Sequence, residues 1–131
     1  MRKLLILFPL LFSTVLFSST GFAEWTKVSE SVSGDSYYID FTTVKYRNGL
    51  IYYWELSDYL KPTKSGTLSV LQYNQGNCNL IAEKGLTWIF YGGPMGKGPI
   101  VNRSNNPDKN WKHRPPGTAG YGIIKKICKN R

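Results

Sequence analysis

The sequence is poor in the side chains that catalysis and metal binding use. Its 131 residues include one histidine, His113, two cysteines, Cys78 and Cys128, and eight acidic residues against 17 lysines and arginines. There is no C-x-x-C, and one histidine adds little to a ligand set, which argues against redox and metal roles. No G-x-S-x-G nucleophile elbow occurs, and no spacing among the acids marks the carboxylate pair of glycosidic chemistry. The glycine-rich run YGGPMGKGP, residues 91–99, is not a phosphate loop. Tyr91 stands where a Walker motif needs its first glycine, and Gly98 follows Lys97 in place of Ser or Thr; a dinucleotide fingerprint begun at Gly96 fails at Val101. These absences point to a non-enzyme without a cofactor, and the glycines read as turn residues.

The N-terminus carries Arg2 and Lys3, then an apolar run over residues 4–17 broken only by Pro9, Ser13 and Thr14. Gly21 and Ala23 supply small residues before Glu24. This is the pattern of a secretory signal peptide, residues 1–23, too short for a comfortable membrane span. The expected mature chain is one small domain, residues 24–131, with room for one modest core. The formal charge is +9, and removing Arg2 and Lys3 leaves +7. Such an excess favours polyanions, acidic protein surfaces or anionic lipid heads as partners. Beyond Tyr91 the only acid is Asp108. Two cysteines in an exported chain read as one structural disulfide, Cys78 with Cys128.

The mature chain reads as six strands and one helix. Residues 25–31 alternate weakly; Ser33-Gly34-Asp35 turns; residues 36–40 are β-rich, and Asp40 with Thr43 suggests a capped turn. A short strand over 44–47 meets Asn48-Gly49, a strong hairpin signal because both residues tolerate positive φ. Residues 50–60 form a long strand with apolar side chains on both faces, one for the domain's own helix and the other for a second copy or solvent. Residues 67–75 make the next strand, and Gln75-Gly76-Asn77 is read as its turn. A long strand then starts at Cys78. Without a bulge, Cys78, Leu80, Ala82, Leu86, Trp88 and Phe90 share the face that the helix covers; a bulge at Gly85 breaks that parity.

Residues 101–116, polar and proline-bounded, read as a long exposed loop, where binding residues concentrate. Pro115-Pro116-Gly117 ends it, and Thr118 caps a helix running to about Lys129. Tyr121, Ile124 and Cys128, with Ile127 beside them, mark its apolar side. The candidate binding surface joins loop and helix: Lys97, Arg103, Lys109, Trp111, Lys112, Arg114, Lys125, Lys126 and Lys129.

The ordered set Trp25, YYID, YYWELSDY, Cys78, YGGPMGKG, Trp111, PPGT and Cys128 resembles the surface-adhesin protein E family over essentially the whole mature chain. The resemblance implies an α+β fold, with a multistranded antiparallel sheet and a C-terminal helix held on one face by the Cys78–Cys128 disulfide. It implies an exported protein of the periplasm, outer-membrane surface or medium that binds host matrix or plasma proteins and can form a homodimer. A periplasmic accessory or inhibitor module binding another envelope protein, or a polyanion, is the alternative.

Overall fold

The computed structural model describes residues 23–129, so the expected leader lies outside the described residues apart from Ala23. Eight antiparallel strands form one sheet. They are β1 (Thr26–Glu30), β2 (Ser36–Ile39), β3 (Lys45–Arg47), β4 (Leu50–Asp58), β5 (Ser69–Asn77), β6 (Ala82–Tyr91), β7 (Ile100–Ser104) and β8 (Lys112–His113). The path is β1-β2-β4-β5-β6-β7, with β3 beside β4 and β8 beside β6. The helix α1 (Ala119–Lys129) closes the chain. Local chemistry sets many of the junctions. Asn48 and Gly49 take φ of 52° and 77° between paired Arg47 and Leu50, the two-residue turn expected there. Asp40 accepts from the Thr42 N–H at 3.0 Å and caps the 3-10 turn Phe41–Thr43. Thr118 Oγ1 accepts from the Tyr121 N–H at 3.2 Å at the start of α1.

Beyond shifts of one or two residues at strand ends, three differences from the sequence reading change the fold. Gly76 lies inside β5, because a Cβ there would come within 2.8 Å of Ile51 Cγ2; the missing side chain makes room for Ile51 and Tyr53. The turn therefore falls at residues 78–81, where the Asn77 side chain accepts from the N–H groups of Asn79 and Leu80 and Ile81 adopts φ 50°. Cys78 sits on this turn and not in the long strand. Residues 101–116 are not one loop: β7 and β8 both pair with β6, and between them Asp108 exchanges hydrogen bonds with Gly85.

The register of β5 on β6 shifts between Tyr73 and Asn74, which pair with Thr87 and Gly85, leaving Leu86 as the extra residue. This bulge inverts the alternation along β6. Trp88 and Phe90 pair with Gln72 and Val70, and Glu83 pairs with Gly76, on the side of the sheet that carries Ile51 and Tyr53. Ala82 belongs to the other side, so the predicted single face is split. A Cβ on Gly85 would come within 2.1 Å of Trp88, so glycine lets that indole lie across the bulge.

The core lies between the helix and this side. Ile39, Ile51, Tyr53, Ile123 and Ile127 form one buried cluster, flanked by Val28, Phe41, Val44 and Cys78. Ile123, absent from the predicted apolar side, is 3% exposed, whereas Tyr121 is only partly buried. Gly120 and Gly122 each cost about 1 kcal/mol of helix propensity. Burying three isoleucines, at about 1.5–3 kcal/mol each, outweighs this loss. The disulfide, with Cα atoms 5.7 Å apart, fixes the helix end to the β5–β6 turn.

Candidate functional site

The fold does not bring the predicted binding residues together on one surface. On the sheet side away from α1, β4 presents Leu50, Tyr52, Trp54 and Leu56 by alternation, and β5 presents Leu71, Tyr73 and Gln75 opposite them. The Trp54 and Tyr73 rings lie 4.8 Å apart, and Tyr73 stacks on Tyr52 at 6.3 Å. The Tyr52 hydroxyl accepts from Gln75 Nε2 at 2.8 Å, while the Arg47 guanidinium lies 5.2 Å from its ring. All three rings are half-buried, so they offer area without forming core.

Trp25 borders this aromatic row. It lines a groove of about 330 Å³ with Thr42, Trp54 and Leu71, and a second of about 430 Å³ with Leu71, Met95 and Lys97. Lys97 arrives there because the glycine-rich loop folds back over the sheet. Met95 N–H donates to Asp58 at 2.8 Å, Gly96 N–H donates to Ser69 Oγ at 2.8 Å, and Ser69 Oγ donates to the Gly93 carbonyl at 2.7 Å. Gly96 and Gly98, like Met95, have positive φ, and a Cβ on Gly93 would come within 2.6 Å of the Lys97 carbonyl oxygen, so turning and close backbone approach account for these three glycines. Arg103 pairs with Ile89 and so faces the same side. Trp111 joins through Lys84, whose ammonium lies 4.8 Å from the indole.

The other candidates lie elsewhere. Lys109 is exposed on the connection along the β6 edge, and Lys112 pairs with Asp108 at 3.1 Å. Arg114 turns inward: its Nε donates to Glu83 Oε1 at 2.8 Å, and Nη2 contacts the same oxygen. It is therefore a structural cation and not part of a free basic surface. Lys125, Lys126 and Lys129 stand on α1, beside the disulfide. The sequence reading missed Trp25, Tyr52, Trp54 and Tyr73 as site residues. The two-residue spacing of Tyr52 and Trp54 along 50–56 signalled a strand face, but only the helix's position shows which face remains uncovered.

Beneath the helix lies a polar cluster. Tyr53 Oη donates to Glu83 at 3.0 Å, Asn74 donates to Glu55 at 3.4 Å, and Gln72 donates to Asn74 at 2.7 Å. Burial, then the Glu83 charge, pushes Glu55 up to about 8, against the pull of Arg114 and Ser57. Tyr53 is raised well above its ordinary value, chiefly by burial and then by the two carboxylates. Glu55 is only 6% exposed, so its carboxyl does not open to a substrate. The His113 ring is exposed and has no hydrogen-bond partner among the described residues. Among those residues no group of His, Cys, Asp and Glu side chains is arranged to hold a metal, and no helix is long and apolar enough to cross a membrane.

A family model described as surface-adhesin protein E matches residues 25–129. Solved structures of Haemophilus influenzae protein E are similar in fold. Crystal form II gives a TM-score of 0.61 at 22% identity, covering 84% of this chain and 91% of that one. A selenomethionine form gives 0.56 at 23% identity, with 84% and 89% covered. Protein E from a non-typeable strain gives 0.53 at 21% identity, with 86% and 80% covered. No curated protein matches the chain significantly.

Proposed function

We propose, from the premise that the chain belongs to the surface-adhesin protein E family, that it is an exported, envelope-associated binding module that takes a protein partner and performs no catalysis. The observation that carries this reading is the sheet side opposite α1. Trp25, Tyr52, Trp54 and Tyr73 lie there, with Arg47, Lys84, Lys97 and Arg103 around them. Aromatic rings and arginine dominate the centres of protein interfaces because they bury large area at low entropic cost. The basic rim would steer acidic surfaces toward those rings. Residues 1–23 act, in this proposal, as the export signal that delivers the domain to the envelope.

The test is binding of residues 24–131 to immobilised matrix and plasma proteins, heparin and single-stranded DNA, at low and high salt. Saturable binding to one matrix or plasma protein that survives high salt supports an adhesin. Attachment to every polyanion that collapses with salt assigns the effect to charge alone. Absence of binding favours the second reading, an accessory module for another envelope protein. Sedimentation across a concentration series reads whether a second copy occupies the aromatic side instead.

A further inference from the structure

The end of the sheet that carries the disulfide forms a second surface. The helix starts beside β1, where Ser29 Oγ donates to the Ala119 carbonyl at 3.1 Å, and ends at the β5–β6 turn through Cys128. This direction brings its cationic last turns to the turn at residues 78–81. A groove of about 570 Å³ lies between them. Cys78, Ile81, Gly122 and Cys128 line it together with Lys125, Lys126 and Lys129, and most of its lining surface is apolar. Leu80, on the same turn, is 48% exposed. Tyr46, 51% exposed, pairs with Ile51, which pairs with Gly76 just before the turn, so it projects at the same end.

Part of the acidic charge of the described residues is gathered at the far end. Glu30, Ser36 and Asp58 are successive register partners at the opposite end of the sheet, and Asp35 adjoins them. The acids nearest the basic end are engaged: Glu83 with Arg114, and Asp108 with Lys112.

We infer that this end docks on an anionic phospholipid surface, the lysines meeting headgroup phosphates while Leu80 and Tyr46 enter the interfacial layer. The charge complementarity calls for an anionic partner, and the apolar lining and exposed leucine select among anions. A nucleic acid or sulfated glycan offers charge without an apolar layer, and would leave Leu80 and Ile81 in water. A bilayer satisfies both. The aromatic side of the sheet takes no part, so the inference is independent of the protein partner proposed above.

The experiment is co-sedimentation of the chain, purified after export, with phosphatidylcholine vesicles with and without phosphatidylglycerol. Binding confined to the anionic vesicles is expected. Each lysine near such a surface adds about fivefold, so the combined changes Lys125→Glu, Lys126→Glu and Lys129→Glu should weaken it by about 100-fold or more. Leu80→Ser, a charge-neutral change at a side chain 48% exposed, should weaken vesicle binding by about tenfold, the scale of one lost interfacial side chain, and leave heparin binding unchanged. Lys129→Glu alone covers the case in which the triple variant misfolds, and should cost about fivefold or more. Binding that ignores the lysine changes overturns the inference. So does binding insensitive to Leu80→Ser and abolished by heparin, which would identify a plain polyanion site.

Discussion

Arg114 and Glu83 join the last part of the chain to the middle of the sheet. The guanidinium leaves the connection between β8 and α1, lies against Gly120, where a Cβ would come within 2.8 Å of Arg114 Cδ, and meets a carboxylate that is 5% exposed. Glu83 also accepts from buried Tyr53, so the pair ties β4, β6 and the helix entry together. Arg114 is the cation of this cluster, which also contains Glu55.

Removing that cation leaves Glu83 buried without its partner. Arg114→Ala should cost about 2–4 kcal/mol, near the lower part of the range for broken buried pairs because the arginine is partly exposed. Urea denaturation checks this. Adding Glu83→Gln should restore part of the loss, since the orphaned charge disappears.

Glu55 makes stability depend on pH. Its folded value of about 8 lies above its ordinary 4.5, so the folded protein holds a proton that the unfolded chain releases between those values. The favourable contribution is full below about pH 4.5 and is lost as pH rises toward 8. Thermal melts from pH 5 to 8 should therefore show a falling Tm from this group. Glu55→Gln should flatten that fall; an unchanged slope would contradict the assignment.

The disulfide spans 50 residues. In the chain-entropy view, closing such a loop contributes about 4 kcal/mol, and measured losses run about 2–5 kcal/mol. Cys78→Ser with Cys128→Ser should lower the urea midpoint by a corresponding amount. Reductant should shift the native protein similarly and leave the double variant unmoved.

Gly76 admits Ile51 and Tyr53 over β5. Gly76→Ala should cost about 1–3 kcal/mol by overpacking, despite alanine's better strand behaviour. A Gly49→Ala control tests backbone conformation instead, since its missing side chain meets nothing within 4 Å but its φ is 77°.

Trp54 and Tyr73 should be the centre of any protein interface on the aromatic side. Once a partner is identified, Trp54→Ala or Tyr73→Ala should weaken it by about 10-fold or more. Lys125→Glu, on the other surface, should leave that affinity nearly unchanged. Surface plasmon resonance separates the two cases.

Local chemistry was readable before any fold was known. Asn48-Gly49 could only turn, Asp40 and Thr118 could cap, the glycine-rich run lacked the residues that hold phosphate, and two cysteines allowed one pairing. Each of these rests on interactions within a few residues or on a forced choice. What the chain order could not decide was which residues become neighbours across strands. One extra residue at Leu86 exchanges the two faces of β6, because side chains alternate with period two. The same non-local register buries Glu55 and Glu83, turns Arg114 inward, and separates the basic residues into an aromatic-side group and a helix-end group. Charge counted along the sequence carries no direction, and the sheet supplies one.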